Sequence, residues 1–243
     1  MRYKCIIAYD GYEYMGFQIQ EDLKTIELEI MIAFKKLLNM DVKIYPSGRT
    51  DRYVHAKGQV IHFDLDSTIT AEGIKRGLNS FLPNDIHILS CEEVDENFHS
   101  RFSCKSKEYR YYINFKEYDP LSCRYCVNIT NLDLDLMRKA IKKLEGKHDF
   151  KGFASAQIDK RKSTIKEIYK TEINVIDDKY YEFIFIGNGF LKYQIRRMMG
   201  LLVEIGRHKE NINMIDEVFD KKDPGISHRC LDGCGLYLYE VRY

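Results

Sequence analysis

Ser47-Gly48-Arg49-Thr50-Asp51-Arg52-Tyr53-Val54-His55-Ala56 places a carboxylate and a guanidinium two residues apart, in a glycine-containing turn between two apolar runs. Loops held by a rigid scaffold are where proteins present reactive groups. An unperturbed aspartate titrates near about 3.9, so Asp51 is expected to be ionised at neutral pH. Such a carboxylate can be a base, a nucleophile or a metal ligand. The same loop can equally be a turn with one surface ion pair, worth under about 1 kcal/mol.

Four other clusters carry chemically useful side chains. Tyr9-Asp10-Gly11-Tyr12 through Gly16-Phe17-Gln18-Ile19-Gln20 follows a strand-like run, and its backbone and glutamines are candidates to contact a nucleotide. From Phe98 to Tyr111, basic residues interleave with aromatics, the pattern expected where bases stack and phosphates are neutralised. Tyr111 reads as a core residue, whereas Tyr109 is open to either role. Phe190-Leu191-Lys192-Tyr193-Gln194-Ile195-Arg196-Arg197 sets arginines in an apolar segment. Burying a guanidinium is costly without an anion, so Arg196 or Arg197 calls for a carboxylate or phosphate nearby, unless both reach out to water. Lys160-Arg161-Lys162 and Arg207-His208-Lys209 read as solvated faces or phosphate contacts. An enzyme acting on a base must first extrude it from its stack. Tyr109 as platform, Arg49 as backbone cation and Asp51 as reactive group would meet that need.

The elements that must position these groups follow from periodicity. Cys5–Tyr9 reads as a strand, and Thr25 caps a helix with Ile26, Ile30, Ala33, Phe34, Leu37 and Leu38 at helical spacing. Gln59–Leu65 is the next strand, Thr70–Phe81 a helix ended by Pro83, and Ile86–Val94 a strand. Lys107–Phe115 alternates as a strand, and Leu136, Ala140, Ile141 and Leu144 form a helical stripe. Thr164–Ile176 and Tyr181–Ile186 flank the hairpin signal Asp177-Asp178-Lys179. Phe190–Ile205 reads as a buried helix and Gly235–Val241 as a closing strand. This mixture indicates an α+β class with largely antiparallel sheet in two similar halves, 1–104 and 105–243.

The chain has 243 residues, 44% of them hydrophobic, with 38 basic and 37 acidic side chains and a formal charge of +1. That balance excludes a histone-like polycation and allows nucleic-acid binding only through local patches. No apolar run approaches membrane-spanning length, so no membrane partner is expected. With no signal peptide apparent, the seven cysteines read as reduced thiols of a cytoplasmic protein. Cys123, Cys126, Cys230 and Cys234, with His228 beside the second pair, form an imaginable zinc set lacking compact knuckle spacing.

Seven motifs occur in the order of one family. They are Tyr9-Asp10-Gly11 with Gly16-Phe17-Gln18; Gly48-Arg49-Thr50-Asp51 with Val54-His55-Ala56; Leu82-Pro83-Asn84-Asp85-Ile86; Phe98-His99-Ser100-Arg101-Phe102; Tyr109-Arg110-Tyr111; Phe190-Leu191 with Gln194-Ile195-Arg196; and Gly235-Leu236-Tyr237-Leu238. In these the chain resembles the tRNA pseudouridine synthase A family over essentially its whole length. The resemblance implies the pseudouridine synthase fold, with helices flanking the sheets and a central catalytic cleft. It implies isomerisation of uridine to pseudouridine in tRNA, by family default at positions 38–40, with no cofactor and no catalytic metal. It assigns covalent catalysis to Asp51, base stacking to Tyr109, support of the carboxylate to Arg196 and nucleotide flipping to Arg49. Arg110, Gln18, His55 and Leu236 are further expected substrate contacts, and a homodimer is the expected assembly.

The chain departs from that family where a small residue and a glycine usually follow the aspartate and Arg52-Tyr53 stand instead. If the glycine position has positive φ, Tyr53 is strained or the turn is rebuilt. Residues 228–234 likewise replace a more usual approach to Gly-Leu-Tyr-Leu. The alternatives to the default are a paralogue acting on another tRNA site or on ribosomal RNA, a catalytically inactive RNA-binding protein, and a zinc-stabilised variant.

Overall fold

The computed structural model describes residues 1–66, 68–157, 163–226 and 229–243. The chain divides into two compact units, Met1–Lys105 with Tyr237–Tyr243, and Ser106–Leu236. The continuous part of the first unit ends at Lys105, beside the division expected at 104/105. The last seven residues belong to the first unit, not to the second. Nothing local in a strand-like segment specifies which distant strand will pair with it.

The first unit contains β1 (Arg2–Tyr9), α1 (Ile26–Leu38), β2 (Tyr45–Pro46), β3 (His55–Asp64), α2 (Ala71–Phe81) and β4 (Ile86–Val94). β1 lies antiparallel between β4 and β3, and β2 pairs with β3. Most of the final strand, β10 (Leu236–Arg242), also belongs here, running parallel to β3 with Tyr237 opposite His55. Alternation in β1 buries Tyr3, Cys5, Ile7 and Tyr9. The Thr25 hydroxyl caps α1 by accepting the Leu28 N–H at 3.4 Å. Ile26, Ile30, Ala33 and Phe34 then form its buried face, with Phe34 edge-on to Phe63 at 4.8 Å. Each large apolar side chain so buried contributes about 1.5–3 kcal/mol.

The second unit contains β5 (Ser106–Asn114), β6 (Val127–Asn128), α3 (Leu134–Lys142), β7 (Gly146–Asp149), β8 (Ile165–Ile176), β9 (Tyr180–Gly187), α4 (Gln194–Gly206) and α5 (Met214–Lys221). Its antiparallel path runs β5-β9-β8-β7, with β6 parallel to β5. The β8–β9 hairpin turns on Asp177 and Asp178, at φ +50° and +46°, conformations that short polar side chains tolerate. Met198, Met199, Leu201, Leu202, Val203 and Ile205 bury α4 on most sides. Both units are largely antiparallel sheet with helices, as expected, but their strand orders differ: β1 is flanked by β3 and β4, whereas β9 is flanked by β5 and β8.

Two helix and strand starts differ markedly from expectation. β3 begins at His55, earlier than expected, because buried His55, Gln59 and His62 break the apolar alternation. α4 begins only at Gln194, because Tyr193 stands at φ +67° and stops the helix extending back to Phe190. β7 and α5 lie where no element was expected.

Candidate active site

Asp51 is the first residue of a β-turn. The Val54 N–H donates to its carbonyl oxygen at 3.2 Å, and Tyr53 in the third position has φ +67°. Arg52 has no such reversal, so the turn is of type II, whose third position favours glycine. The expectation of strain at Tyr53 is therefore met, at a cost of about 1–2 kcal/mol for a residue with a Cβ.

The turn is clamped from several sides within the first unit. Gln59, wholly buried in β3, accepts the Ser47 hydroxyl at 2.7 Å and donates to the Gly48 carbonyl at 2.8 Å, holding the arm that leads to Arg49. The Tyr9 and Thr50 hydroxyls are 2.8 Å apart and buried. Burial pushes the Tyr9 phenol up to about 12, so it stays protonated at physiological pH. Gly11 packs on Val54, where a Cβ would stand 2.0 Å from the Val54 carbonyl oxygen. His55 is buried beneath the turn: its Nδ1 accepts the Gly11 N–H at 3.1 Å and lies 3.0 Å from Asp10, and its ring stacks on Tyr237 at 4.6 Å. These contacts make His55 a support of the loop. Arg49 is exposed and, among the described residues, pairs with no carboxylate, so the simple ion-pair account of Arg49 and Asp51 does not hold. Gln18 is exposed, while Gln20 is tied back to the Met15 carbonyl at 2.8 Å.

In the second unit, Tyr109 is buried on β5 with its ring edge-on to Phe190 at 5.2 Å. Arg110 is committed to two buried carboxylates, Glu108 at 2.7 Å and Glu182 at 2.8 Å. Desolvation works against that charge, but the two hydrogen-bonded carboxylates outweigh it and hold the guanidinium firmly protonated. Glu182 also accepts from the Tyr112 hydroxyl at 2.8 Å and from Asn174 at 3.1 Å. Arg196 donates from Nε to the Leu231 carbonyl at 2.6 Å, and its guanidinium carbon lies 5.3 Å over the Tyr193 ring. Arg197 donates to the Pro224 carbonyl. Each half-buried arginine thus places a donor on a backbone carbonyl ahead of β10, a partner not foreseen from sequence. Tyr111 is fully buried, as expected, and Leu236 is buried too.

The remaining clusters resolve unevenly. Arg207 and Lys209 lie within 3.8 Å of Glu204, so these two cations are paired, and His208 lies 3.2 Å from Asp133. Lys160-Arg161-Lys162 and His228 lie outside the described residues. Among the described residues no group of three or more His, Cys, Asp or Glu is placed to hold a metal. Burial raises the Cys234 thiol to about 12, unfavourable for a thiolate ligand. No helix among the described residues is long and apolar enough to cross a membrane. Gln59, Tyr9 and Thr50 are the supports that sequence reading missed; a glutamine inside an apolar strand was the one available signal.

The profile of the tRNA pseudouridine synthase family matches residues 5–103 and 140–243, which sets the class as an RNA-modifying isomerase. Relatives share the full length: a tRNA pseudouridine synthase A of an Exiguobacterium species is 40% identical over 245 residues, covering 100% of this chain and 98% of its own. Those of a Geobacillus species and of Bacillus pumilus are 39% and 40% identical, covering all of this chain and 98% and 99% of theirs. The chain belongs to the tRNA pseudouridine synthase family.

Proposed function

We propose that this enzyme isomerises uridine to pseudouridine in the anticodon arm of tRNA, at positions 38–40, with Asp51 as the covalent nucleophile. The reaction breaks the N1–C1′ bond, turns the uracil in its pocket and forms a C5–C1′ bond. The proton leaving C5 is balanced by one gained at N1, so substrate and product have the same formula. No oxidant, reductant or group donor is needed. Whether the carboxylate attacks C1′ or C6, that atom balance is the same. In this reading Tyr109 stacks on the base, Arg196 supports the Asp51 carboxylate, and Arg49 neutralises backbone phosphate as the nucleotide turns out. Gln18 is a substrate contact, whereas His55, Leu236 and Arg110 act by holding the elements that carry the site. The enzyme works as a cytoplasmic homodimer.

The observation that carries the reading is Asp51 at the head of a turn clamped by Gln59, Thr50 and Gly11, with the exposed Arg49 two residues away. Such pre-organisation suits a nucleophile whose geometry decides the rate. The test is tritium release from tRNA labelled at uridine C5. Wild-type protein releases label to water, and Asp51→Asn releases none. Full release by that variant overturns the assignment, and pseudouridine mapping of the product reports the positions.

A further inference from the structure

The side chains just beyond Asp51 are not accounted for by that chemistry. Tyr53 occupies a left-handed position that glycine would take without strain, yet its ring is only half-buried, so core packing does not explain the choice. The ring lies 5.3 Å from that of Tyr12, tilted by 31°, and the guanidinium carbon of Arg52 stands 4.3 Å over it. Arg52 itself is exposed and, among the described residues, pairs with no carboxylate. Tyr12 belongs to the loop packed on the turn, its N–H held by Asp10 at 2.9 Å and the preceding Gly11 against Val54. Three flat groups, one of them cationic, thus lie against one another beside Asp51. Strained conformations persist where surroundings over-determine them, and they cluster at functional sites.

We propose that Tyr53, Tyr12 and Arg52 form a stacking subsite for an unpaired base of the tRNA next to the target uridine; this rests on the catalytic reading of Asp51. Aromatic faces and arginine planes are the surfaces on which splayed-out bases stack, with little preference among bases. Arg52 adds a cation for the phosphate joining that nucleotide to its neighbour. Tyr53 is two residues from Asp51, a span of at most about 7 Å, which limits the occupant to an adjoining nucleotide.

The test compares Tyr53→Gly, Tyr53→Phe, Tyr12→Ala and Arg52→Ala, measuring melting temperature, tRNA Kd, and kcat and KM for tritium release. Tyr53→Gly keeps or raises the melting temperature by relieving strain, while Kd and KM rise roughly five- to hundred-fold, the range that base–aromatic stacking supplies. Tyr53→Phe behaves as wild type, Tyr12→Ala weakens binding in the same direction, and Arg52→Ala lowers the slope of log K against log salt by about one. Unchanged Kd and KM in Tyr53→Gly overturn the proposal, as does a loss confined to kcat, which would mark the stack as a support of the turn. Should Tyr53→Gly not fold, Tyr12→Ala decides by the same criteria. Asp51→Asn measured alongside separates the two claims: an active Asp51→Asn removes the catalytic reading, whereas an inert one beside a normal Tyr53→Gly removes only the stacking subsite.

Discussion

Gly16, at φ +97°, lies so close to the Asp51 turn that a Cβ on it would stand 2.9 Å from the Thr50 carbonyl oxygen. The neighbouring Phe17 N–H donates to that same oxygen at 3.1 Å. Gly16→Ala therefore meets both a backbone conformation unsuited to a side chain and an immovable neighbour. We expect about 1–3 kcal/mol of lost stability and at least about a ten-fold loss of kcat/KM, since small misplacements of reacting groups are costly. Urea melts and tritium-release kinetics check both. A fully active Gly16→Ala would mean that the turn tolerates displacement.

Tyr9→Phe leaves the buried Thr50 hydroxyl without its phenol partner. Such a loss costs about 1–3 kcal/mol, whereas replacing both partners with apolar groups of like shape is nearly neutral. Tyr9→Phe should thus be less stable than the double variant Tyr9→Phe/Thr50→Val. The bond acts through loop position, so kcat should fall more than KM changes. A double-mutant cycle read by denaturation and by kinetics tests this.

Arg110→Met strands two carboxylates, Glu108 and Glu182, that are 6% and 4% exposed. Removing one partner of a buried ion pair costs about 3–5 kcal/mol. Adding Glu108→Gln and Glu182→Gln should recover much of the stability, and activity should follow the folded fraction. A folded triple variant that has lost tRNA binding would instead make Arg110 a direct RNA contact.

His62 supplies a pH dependence. Burial first, then the charges of His99 and Arg2, lower its pKa to about 4, and its Nδ1 accepts the Ser100 N–H at 3.2 Å. Above about pH 7.5 the ring is neutral both folded and unfolded, so the contribution is complete there. As pH falls, the unfolded chain takes up a proton that the native state refuses until about pH 4. Stability should drop by about 2 kcal/mol at pH 5 and by about 3 kcal/mol at pH 4 from this residue. His99, also lowered by burial and by Arg2, adds in the same direction. Urea melts of wild type and His62→Gln between pH 7.5 and 4.5 should diverge accordingly.

Legibility in the sequence followed the range of the governing interactions. β4 was expected at its observed limits, and α1 with its Thr25 cap within a residue, because alternation and capping act over a few positions. Asp51 and Arg49 could be singled out from a single loop, and the strain at Tyr53 from the glycine that the resembled family usually has there. The supports could not. Tyr9 meets Thr50 across 41 positions, and Tyr111 meets the Asp232 carbonyl across 121. The committed state of Arg110 was equally hidden, since Glu182 reaches it only through the β5–β9 register.

The C-terminal strand has a temporal consequence. Tyr237 stacks on His55 beneath the turn, the Lys105 N–H bonds to Arg242, and the Tyr243 hydroxyl bonds to Ser100. On the ribosome the whole second unit is synthesised between the body of the first and its last strand, an interval on the order of ten seconds. A chain released before Tyr237 is made thus has the Asp51 turn without the ring that stacks on His55.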